Sequence, residues 1–162
     1  MPLVLDIFGL VILQNGLNEP LLKLCANWRN QGEKIYGASN MSAIQNDKLW
    51  QMPGVRDAFD DIYCSGLLGV SKPDPVFYTA VTNKLHLQPE HILFFDDSGV
   101  NVEAARRMGW QAYAYSDEKD LSTIAEGFFA REHAHKRSEH APQKADSGDI
   151  VLVDRGNENT SA

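Results

Sequence analysis

The sequence predicts an α/β protein with a doubly wound parallel sheet, that is, a parallel sheet with helices on both faces. The first observation is that short apolar runs alternate with amphipathic segments between residues 3 and 115. The second is that prolines begin two of the amphipathic segments and that glycines follow two of them, as is usual at helix starts and ends. Such alternation is typical of parallel sheets, because each strand must be joined to the next by a long crossover.

The first half of the chain is expected to contain three strands and one helix. Leu3–Phe8 is a short apolar run that ends at a glycine, as a buried strand does. Pro20 begins an amphipathic helix that stops at Gly32. Lys34–Asn40 is a second strand, which ends on small polar residues, and Ile62–Ser65 is a third and shorter strand.

The second half repeats the alternation. Pro75 begins a helix whose apolar residues recur at helical spacing. His91–Asp97 is the next strand and ends in two acids. A helix over Val100–Met108 then stops at a glycine and leads to the last strand, Gln111–Tyr115. In parallel sheets of this kind, ligands bind beyond the carboxyl ends of the strands.

Composition sets the domain limits and excludes several classes of protein. Residues 1–126 are predicted to form one domain, and residues 127–162 a polar tail with too little apolar surface to offset its ordering entropy. In that tail, Ile150–Val153 is an apolar island that either adds an edge strand or stays free. A formal net charge of -7 disfavours nucleic-acid binding.

Location is predicted from what the sequence does not contain. No apolar run approaches the roughly 20 residues that a membrane span requires. The first six residues do not resemble a secretory signal, and two cysteines cannot build a disulfide framework. We therefore expect a cytoplasmic protein that binds neither membranes nor nucleic acids.

The candidate chemistry lies where the predicted strands end. Asp6, Ser39-Asn40 and Asp96-Asp97 all end strands, and Lys72 lies in the loop after the Ile62–Ser65 strand. Clustered carboxylates repel one another unless a cation is present, and hard oxygen ligands suit Mg²⁺. A neighbouring lysine offers positive charge to an anion such as a phosphoryl group. The residues therefore predict a Mg²⁺-assisted phosphoryl-transfer site with a carboxylate nucleophile.

In order along the chain, four motifs carry a family resemblance: Asp6-Ile7-Phe8-Gly9, then Ser39-Asn40, then Lys72-Pro73, then Phe95-Asp96-Asp97-Ser98 with Asn101. They resemble the motifs of the haloacid dehalogenase-like (HAD) hydrolase superfamily over about residues 3 to 117. The most similar branch contains the α-glucose-1-phosphate phosphatases and the N-terminal domain of soluble epoxide hydrolase. The resemblance implies the Rossmann-like core of that superfamily and a hydrolase of phosphoric monoesters.

The resemblance also implies a role for each motif residue. Asp6 would be the nucleophile that forms an aspartyl-phosphate, and Lys72 would neutralise it and the transition state. Mg²⁺ would be held by Asp6, the backbone carbonyl of Phe8 and Asp96. Ser39 and the backbone at Asn40 would bind phosphoryl oxygens. The metal's water shell and the neighbouring loop would be oriented by two further residues, Asp97 and Asn101.

Two departures from the family pattern bear on activity. Phosphatases of the family usually carry a second aspartate two residues after the nucleophile, as general acid and base, and here that position is Phe8. A phenyl ring cannot transfer a proton, so a loss of roughly 10²- to 10⁴-fold is expected. Relatives with a helical cap insert it before the serine-bearing strand, and here only about one loop and one helix fit there. We therefore expect a capless core whose open site exposes Val11, Ile12 and Leu13 to another subunit or partner.

Three functions remain open from the sequence. The first is a Mg²⁺-dependent phosphatase, weak on small phosphomonoesters and open to a larger substrate such as a phosphoprotein. The second is a binding or regulatory protein that has kept the fold. The third is a 2-haloacid dehalogenase, since those enzymes also carry an aromatic residue two positions after the nucleophile, and Tyr78 lies at a similar spacing from Lys72. Acids at Asp96 and Asp97 would repel a haloacid's carboxylate.

Overall fold

The computed structural model describes residues 2–139 and has a five-stranded parallel sheet at its centre. The strands are β1 (Pro2–Asp6), β4 (Lys34–Ser39), β5 (Asp61–Cys64), β6 (Leu93–Asp96) and β7 (Gln111–Ala114). Their order in the sheet is β5-β4-β1-β6-β7, with β1 at the centre. All four neighbouring pairs are parallel, so every carboxyl end lies at the same edge. The predicted α/β parallel sheet is therefore confirmed, and its order reverses direction at β1, as in Rossmann-like folds.

Helices cover both faces of this sheet, as the prediction of a doubly wound fold requires. One face packs against α1 (Glu19–Asn30), α2 (Ala43–Trp50), α3 (Val55–Ala58) and α7 (Glu118–Glu139). The other packs against α5 (Pro75–Leu85) and α6 (Gly99–Arg107). A short helix, α4 (Ser65–Leu68), follows β5, and a single 3₁₀ turn, Pro89–His91, precedes β6.

The central strand contributes to both apolar layers. Leu3 and Leu5 lie in the cluster under α1 and α7, and Val4 lies in the cluster under α5 and α6. Side chains alternate between the two faces of a strand, so a strand covered on both sides is apolar at every position. Asp6 ends β1 on the face of Val4 and is the first charged residue of the strand. Burial of the apolar layers thus fixes where this carboxylate lies.

Two helices start where the sequence places their prolines. The side chain of Asn18 accepts a hydrogen bond from the backbone N–H of Leu21 at 3.2 Å, with a proline in the first turn of α1. The side chain of Asp74 accepts from Val76 at 2.9 Å, with Pro75 opening α5. Both caps satisfy N–H groups that the first helical turn leaves unpaired.

The segment between β1 and β4 is short. Residues 7–33, all of them described by the structure, contain a two-stranded hairpin, β2 (Ile12–Leu13) with β3 (Gly16–Leu17), and then helix α1. No cap domain is present in these residues, as the sequence predicts. The expectation of three exposed apolar residues here is corrected in part: Val11 is fully buried in the core, Ile12 is half-buried and Leu13 is exposed.

The predicted boundary at residue 126 is wrong for the thirteen residues that follow it within α7. This helix continues to Glu139, and it buries Phe128 completely. Phe129 packs edge-on against Trp28 of α1, with ring centroids 5.5 Å apart. Phe128 and Phe129 supply apolar surface to the core, although the average composition of residues 127–162 is polar. The remainder of the predicted tail, with Ile150–Val153, lies outside the described residues.

None of the helices within residues 2–139 combines the length and apolar character needed to cross a membrane.

Candidate active site

Two buried carboxylates lie side by side at the carboxyl edge of the sheet. Strands β1 and β6 pair in a register that places Leu5 opposite Phe95, so Asp6 and Asp96 end adjacent strands. Asp6 is 5% exposed and Asp96 is fully buried. Burying carboxylates is costly unless they are paired or bind a cation.

The ammonium of Lys72 lies between these carboxylates. Its Nζ is 2.7 Å from Oδ1 of Asp6 and 2.6 Å from Oδ2 of Asp96, and its side chain is almost completely buried. The same Nζ lies 5.4 Å from the ring centroid of Phe94. The structure therefore brings together three of the residues that the sequence singled out. Along the chain, Lys72 is 66 residues from Asp6 and 24 residues from Asp96.

Asn40 holds Lys72 through the main chain. Its side-chain amide donates to the Lys72 carbonyl, and its side-chain oxygen accepts from the Lys72 N–H, both at 2.8 Å. Sequence reasoning assigned the backbone at Asn40 to phosphoryl oxygens and missed this role of its side chain. The local sequence does not indicate this contact, because Asn40 and Lys72 are 32 residues apart along the chain.

A third carboxylate completes a group that can hold a metal ion. One oxygen from each of Asp6, Asp96 and Asp97 lies within 4.8 Å of the others, and Asp97 is exposed to solvent. Three carboxylates and the single ammonium of Lys72 leave a formal charge of -2 at full ionisation. This excess and the all-oxygen donor set fit a hard divalent cation such as Mg²⁺.

The backbone carbonyl of Phe8, the predicted third ligand, is compatible with the same ion. The neighbouring carbonyl of Ile7 accepts hydrogen bonds from Val11 at 2.9 Å and Ile12 at 2.8 Å. Among residues 2–139, no backbone hydrogen bond reaches the Phe8 carbonyl. The side chain of Phe8 is 40% exposed, so this residue offers the site a carbonyl and an apolar ring but no acid.

The electrostatics of the site make Asp6 a weaker acid than an ordinary aspartate. Its pKa is raised to about 7, mainly by burial, with the charge of Lys72 lowering it and the charge of Asp96 raising it. An ion bound at the cluster would favour the ionised form of the same carboxylate. The ionisation of Asp6 and metal binding are therefore coupled.

Asp96 is held in place from the start of α6. Its Oδ1 accepts from the backbone N–H of Ser98 at 2.8 Å, and its Oδ2 accepts from the side-chain amide of Asn101 at 3.0 Å. The Asn101 carbonyl in turn accepts a hydrogen bond from the hydroxyl of Tyr78 at 3.0 Å. Tyr78 is fully buried on α5, where its ring packs against Phe94. Tyr78 therefore supports the start of α6, which holds Asp96, and the sequence did not indicate this contact because the hydroxyl's partner is a distant main-chain atom.

Ser39 ends β4 with its hydroxyl unpaired. The side chain is fully buried, and its Oγ has no hydrogen-bond partner among the described residues. Ala38, one residue earlier, is the register partner of Asp6. Leaving a buried hydroxyl unpaired costs roughly 1–3 kcal/mol. A ligand oxygen that accepts this O–H would recover that cost, which agrees with the phosphoryl contact expected of Ser39.

Chemically, the arrangement offers a buried carboxylate that could act as a nucleophile, a fixed ammonium and a place for a divalent cation at one open edge. Such a group stabilises charge that develops on a phosphoryl group held in line with Asp6.

Comparison with known proteins places the chain in a family. The profile of the haloacid dehalogenase-like hydrolases matches residues 2–109. The phosphatase MT3486 of Mycobacterium tuberculosis is 35% identical over 86 residues, which are 52% of this chain and 40% of that protein. The sesquiterpene phosphatase astK of Aspergillus oryzae is 33% identical over 106 residues, 65% of this chain and 53% of that protein. The chain thus spans about half or less of the length of these curated relatives.

Solved structures show the same fold. An uncharacterised protein from Corynebacterium glutamicum superimposes with a TM-score of 0.68 at 22% identity, over 80% of this chain and 94% of that one. A HAD-family enzyme from Bacteroides thetaiotaomicron, solved with magnesium and inorganic phosphate, gives a TM-score of 0.58 at 25% identity, over 65% of this chain and 57% of that one. With the family profile spanning all four motifs, this chain belongs to the haloacid dehalogenase-like hydrolases.

Proposed function

We propose that the chain is a Mg²⁺-dependent phosphatase that acts through an aspartyl-phosphate on Asp6. One observation carries the proposal: Lys72 bridges Asp6 and Asp96, yet the cluster with Asp97 keeps a formal excess of negative charge. A structural ion pair would need one carboxylate for one ammonium. An excess of buried acid at a ligand-binding edge is instead what a phosphoryl-transfer site with a divalent cation requires.

The first chemical step is attack by a carboxylate oxygen of Asp6 on the phosphorus atom. A bond forms between that oxygen and phosphorus while the bond to the ester oxygen breaks, and the alcohol leaves with the bonding electron pair. Lys72 neutralises charge on the phosphoryl oxygens, the Ser39 hydroxyl donates to one of them, and the backbone N–H at Asn40 to another. Water then attacks the aspartyl-phosphate and releases inorganic phosphate and the free carboxylate.

Bound Mg²⁺ would screen the repulsion between Asp6 and the anionic substrate. Asp6, Asp96 and the Phe8 carbonyl would hold the ion. Asp97 and Asn101 would orient its water shell.

Phe8 limits which substrates react well. The leaving alcohol must take its proton from solvent, because the side chain two residues after the nucleophile is a phenyl ring. Aryl phosphates, whose leaving groups need less protonation, should therefore react faster than alkyl phosphates. Without a cap over the site, small substrates are also gripped weakly, which is consistent with a larger substrate or with a partner subunit that covers the site.

A binding or regulatory protein is the second candidate function, and Phe8 is the observation that favours it. If catalysis were no longer required, an aromatic residue at this exposed position would carry no cost, and Asp6, Asp96 and Lys72 would serve only to bind a phosphorylated ligand. A dehalogenase fits less well, because Asp96 and Asp97 would repel the carboxylate of a haloacid substrate.

Hydrolysis of p-nitrophenyl phosphate with and without Mg²⁺ distinguishes these functions. The proposal expects turnover that requires the metal and that Asp6→Asn abolishes, because an amide is a far poorer nucleophile. Asp47→Asn, which removes an exposed acid on α2, should keep full activity. Mg²⁺ binding without any turnover would favour the binding protein. Halide release from 2-chloropropionate that a chelator does not affect would favour the dehalogenase. The cytoplasmic location stays a prediction from sequence.

A further inference from the structure

One side chain joins the turn and hairpin that follow Asp6 to the start of α7. The side-chain amide of Asn18 donates to the carbonyl of Leu10 at 3.0 Å and to Oε1 of Glu118 at 2.6 Å. Asn18 is buried and Glu118 is half-buried, and the two residues lie 100 positions apart along the chain. An amide group has two N–H donors, and both are occupied here.

Phe8, whose carbonyl is a predicted metal ligand, belongs to the same hairpin. It forms an isolated bridge with Ile12 of β2, and the N–H of Gly9 donates to the Ile12 carbonyl at 3.0 Å. Leu10 lies within the turn that these main-chain contacts close. A side chain that holds the Leu10 carbonyl therefore also limits where the Phe8 carbonyl can lie.

Glu118 is connected in turn to the strand end that carries Asp96. The hydroxyl of Tyr115 hydrogen-bonds to the Glu118 carboxylate, and the backbone N–H of Tyr115 donates to the Asp96 carbonyl at 2.9 Å. The hydrogen bond from Asn18 holds the pKa of Glu118 below its usual range, so this carboxylate is ionised at neutral pH. Hydrogen bonds to an ionised carboxylate are shorter and stronger than those between neutral groups. The 2.6 Å contact between Asn18 and Glu118 thus connects the hairpin, through Tyr115, to the end of β6.

We propose that Asn18, Glu118 and Tyr115, here called the hairpin clamp, are positioning residues that hold the two halves of the candidate metal site together. One half is the hairpin with the Phe8 carbonyl, and the other is the end of β6 with Asp96. The inference rests on the proposed function, since the ion that the two halves would share is the Mg²⁺ of the phosphatase. Mg²⁺ requires near-ideal octahedral geometry with ligands at about 2.1 Å, so a displaced carbonyl binds it poorly.

A purely structural role for Asn18 does not account for its contacts. As the residue that caps α1, it needs only its side-chain oxygen, which accepts from the N–H of Leu21 at 3.2 Å. Aspartate and serine cap helices equally well. Among capping side chains, only an amide can accept this bond and also donate to both Leu10 and Glu118. The hairpin clamp therefore uses the part of the side chain that the helix cap does not need.

The first test compares Glu118→Ala with Glu118→Gln in the 162-residue chain. Both substitutions remove the same charge, but the glutamine oxygen still accepts a hydrogen bond from Asn18. Titration calorimetry should show Mg²⁺ binding weakened roughly tenfold by Glu118→Ala and less than about twofold by Glu118→Gln. In the metal-free protein, hydrogen exchange of the Gly9 N–H, which reports on the hairpin directly, should be faster in Glu118→Ala alone. Urea denaturation checks that both variants are folded.

A reciprocal exchange tests the hydrogen bond itself. Asn18→Asp keeps the oxygen that caps α1 but places two carboxylates against each other, and it should weaken Mg²⁺ binding by roughly tenfold or more. Adding Glu118→Gln reverses the direction of the bond, with the glutamine amide donating to the aspartate, and returns the pair to its original formal charge. The double variant should therefore recover most of the lost Mg²⁺ affinity.

Equal Mg²⁺ affinity in Glu118→Ala and Glu118→Gln would overturn the inference, whether both match the original chain or both bind the ion more weakly. In the second case, the charge of Glu118 rather than its hydrogen bond would affect the ion. Hydrolysis of p-nitrophenyl phosphate that needs Mg²⁺ and Asp6 would uphold the proposed function in either case. Its absence, with the two variants still differing in Mg²⁺ affinity and in Gly9 exchange, would remove that function and keep the hairpin clamp.

Discussion

Gly9 lies so close to Asp97 that any side chain at this glycine would overlap the carboxylate. A Cβ built on Gly9 collides with Oδ2 of Asp97, and the glycine has a φ of +98°, which other residues rarely adopt. The N–H of Gly9 donates to the Ile12 carbonyl at 3.0 Å, which fixes the glycine at the base of the hairpin. The turn after Asp6 and the exposed acid of the candidate metal site, Asp97, therefore depend on each other.

Gly9→Ala should weaken Mg²⁺ binding by roughly tenfold or more, because the methyl group must displace Asp97. The control is Gly32→Ala, since Gly32 has a similar φ of +95° but open space, with no neighbouring atom within 4 Å, where a methyl group would lie. Both changes should cost about 1–3 kcal/mol of stability from backbone strain. Only the first should change metal affinity in a titration. Equal metal affinity in the two variants would show that Asp97 does not need its observed position.

Asp6 makes metal binding depend on pH. Because burial raises the pKa of this carboxyl to about 7 in the metal-free protein, Mg²⁺ must displace a proton below that pH. Apparent Mg²⁺ affinity should fall by up to roughly tenfold for each pH unit below 7. Titration at pH 5.5, 6.5 and 7.5 measures this slope. In Asp6→Asn, whose side chain does not titrate, the contribution of this residue to the slope should disappear.

In the absence of metal, the raised pKa of Asp6 also makes the free energy of unfolding depend on pH. Between about pH 4 and pH 7, folded Asp6 binds a proton that the unfolded chain has released, so its contribution to the free energy of unfolding falls as pH rises through this window. Chemical denaturation in the presence of a chelator should show this decline, and Asp6→Asn should flatten it. A rise in stability over the same range that depends on Asp6 would contradict the raised pKa.

Phe8→Asp should raise turnover of alkyl phosphates by roughly 10²- to 10⁴-fold, because an aspartate can protonate the leaving alcohol. The residue is 40% exposed, so the substitution buries no charge. Phe8→Asn provides the control, since it has nearly the same shape and polarity without a titrating proton. Kinetics with ethyl phosphate and p-nitrophenyl phosphate should show the larger gain for ethyl phosphate, whose leaving group needs the proton more. Equal rates for the two variants would show that a missing general acid does not limit turnover.

The sequence predicted those parts of the site that depend on strand ends. Asp6 and Asp96 follow runs of buried apolar residues, and parallel pairing brings such ends together whatever the details of packing. The side chains that hold them could not be predicted in the same way. Asn40 and Tyr78 act on main-chain atoms of Lys72 and Asn101, and contacts with main chain leave no pattern of residue types. Only the folded positions of the loops reveal them.

The domain boundary could not be predicted because composition averages over a helix that is polar on most of its surface. A chain ending at Glu126 loses Phe128 and Phe129, each of whose burial contributes about 1.5–3 kcal/mol. It also uncovers Trp28, which Phe129 contacts at 5.5 Å. Such a chain should be less stable than one ending at Glu139 by roughly 3–6 kcal/mol, a large share of the 5–15 kcal/mol typical of a domain.

Urea denaturation of the two shortened chains measures this difference, and Phe129→Ala in the 162-residue chain tests it without truncation. That substitution should cost about 3–5 kcal/mol, because it leaves a cavity against Trp28. Arg131→Ala, at an exposed position two residues later on the same helix, should cost less than about 0.5 kcal/mol. If the chain ending at Glu126 were as stable as the one ending at Glu139, the second half of α7 would contribute nothing to the core. The contact between Trp28 and Phe129 predicts the opposite, since it joins α7 directly to the helix that follows the hairpin of the candidate active site.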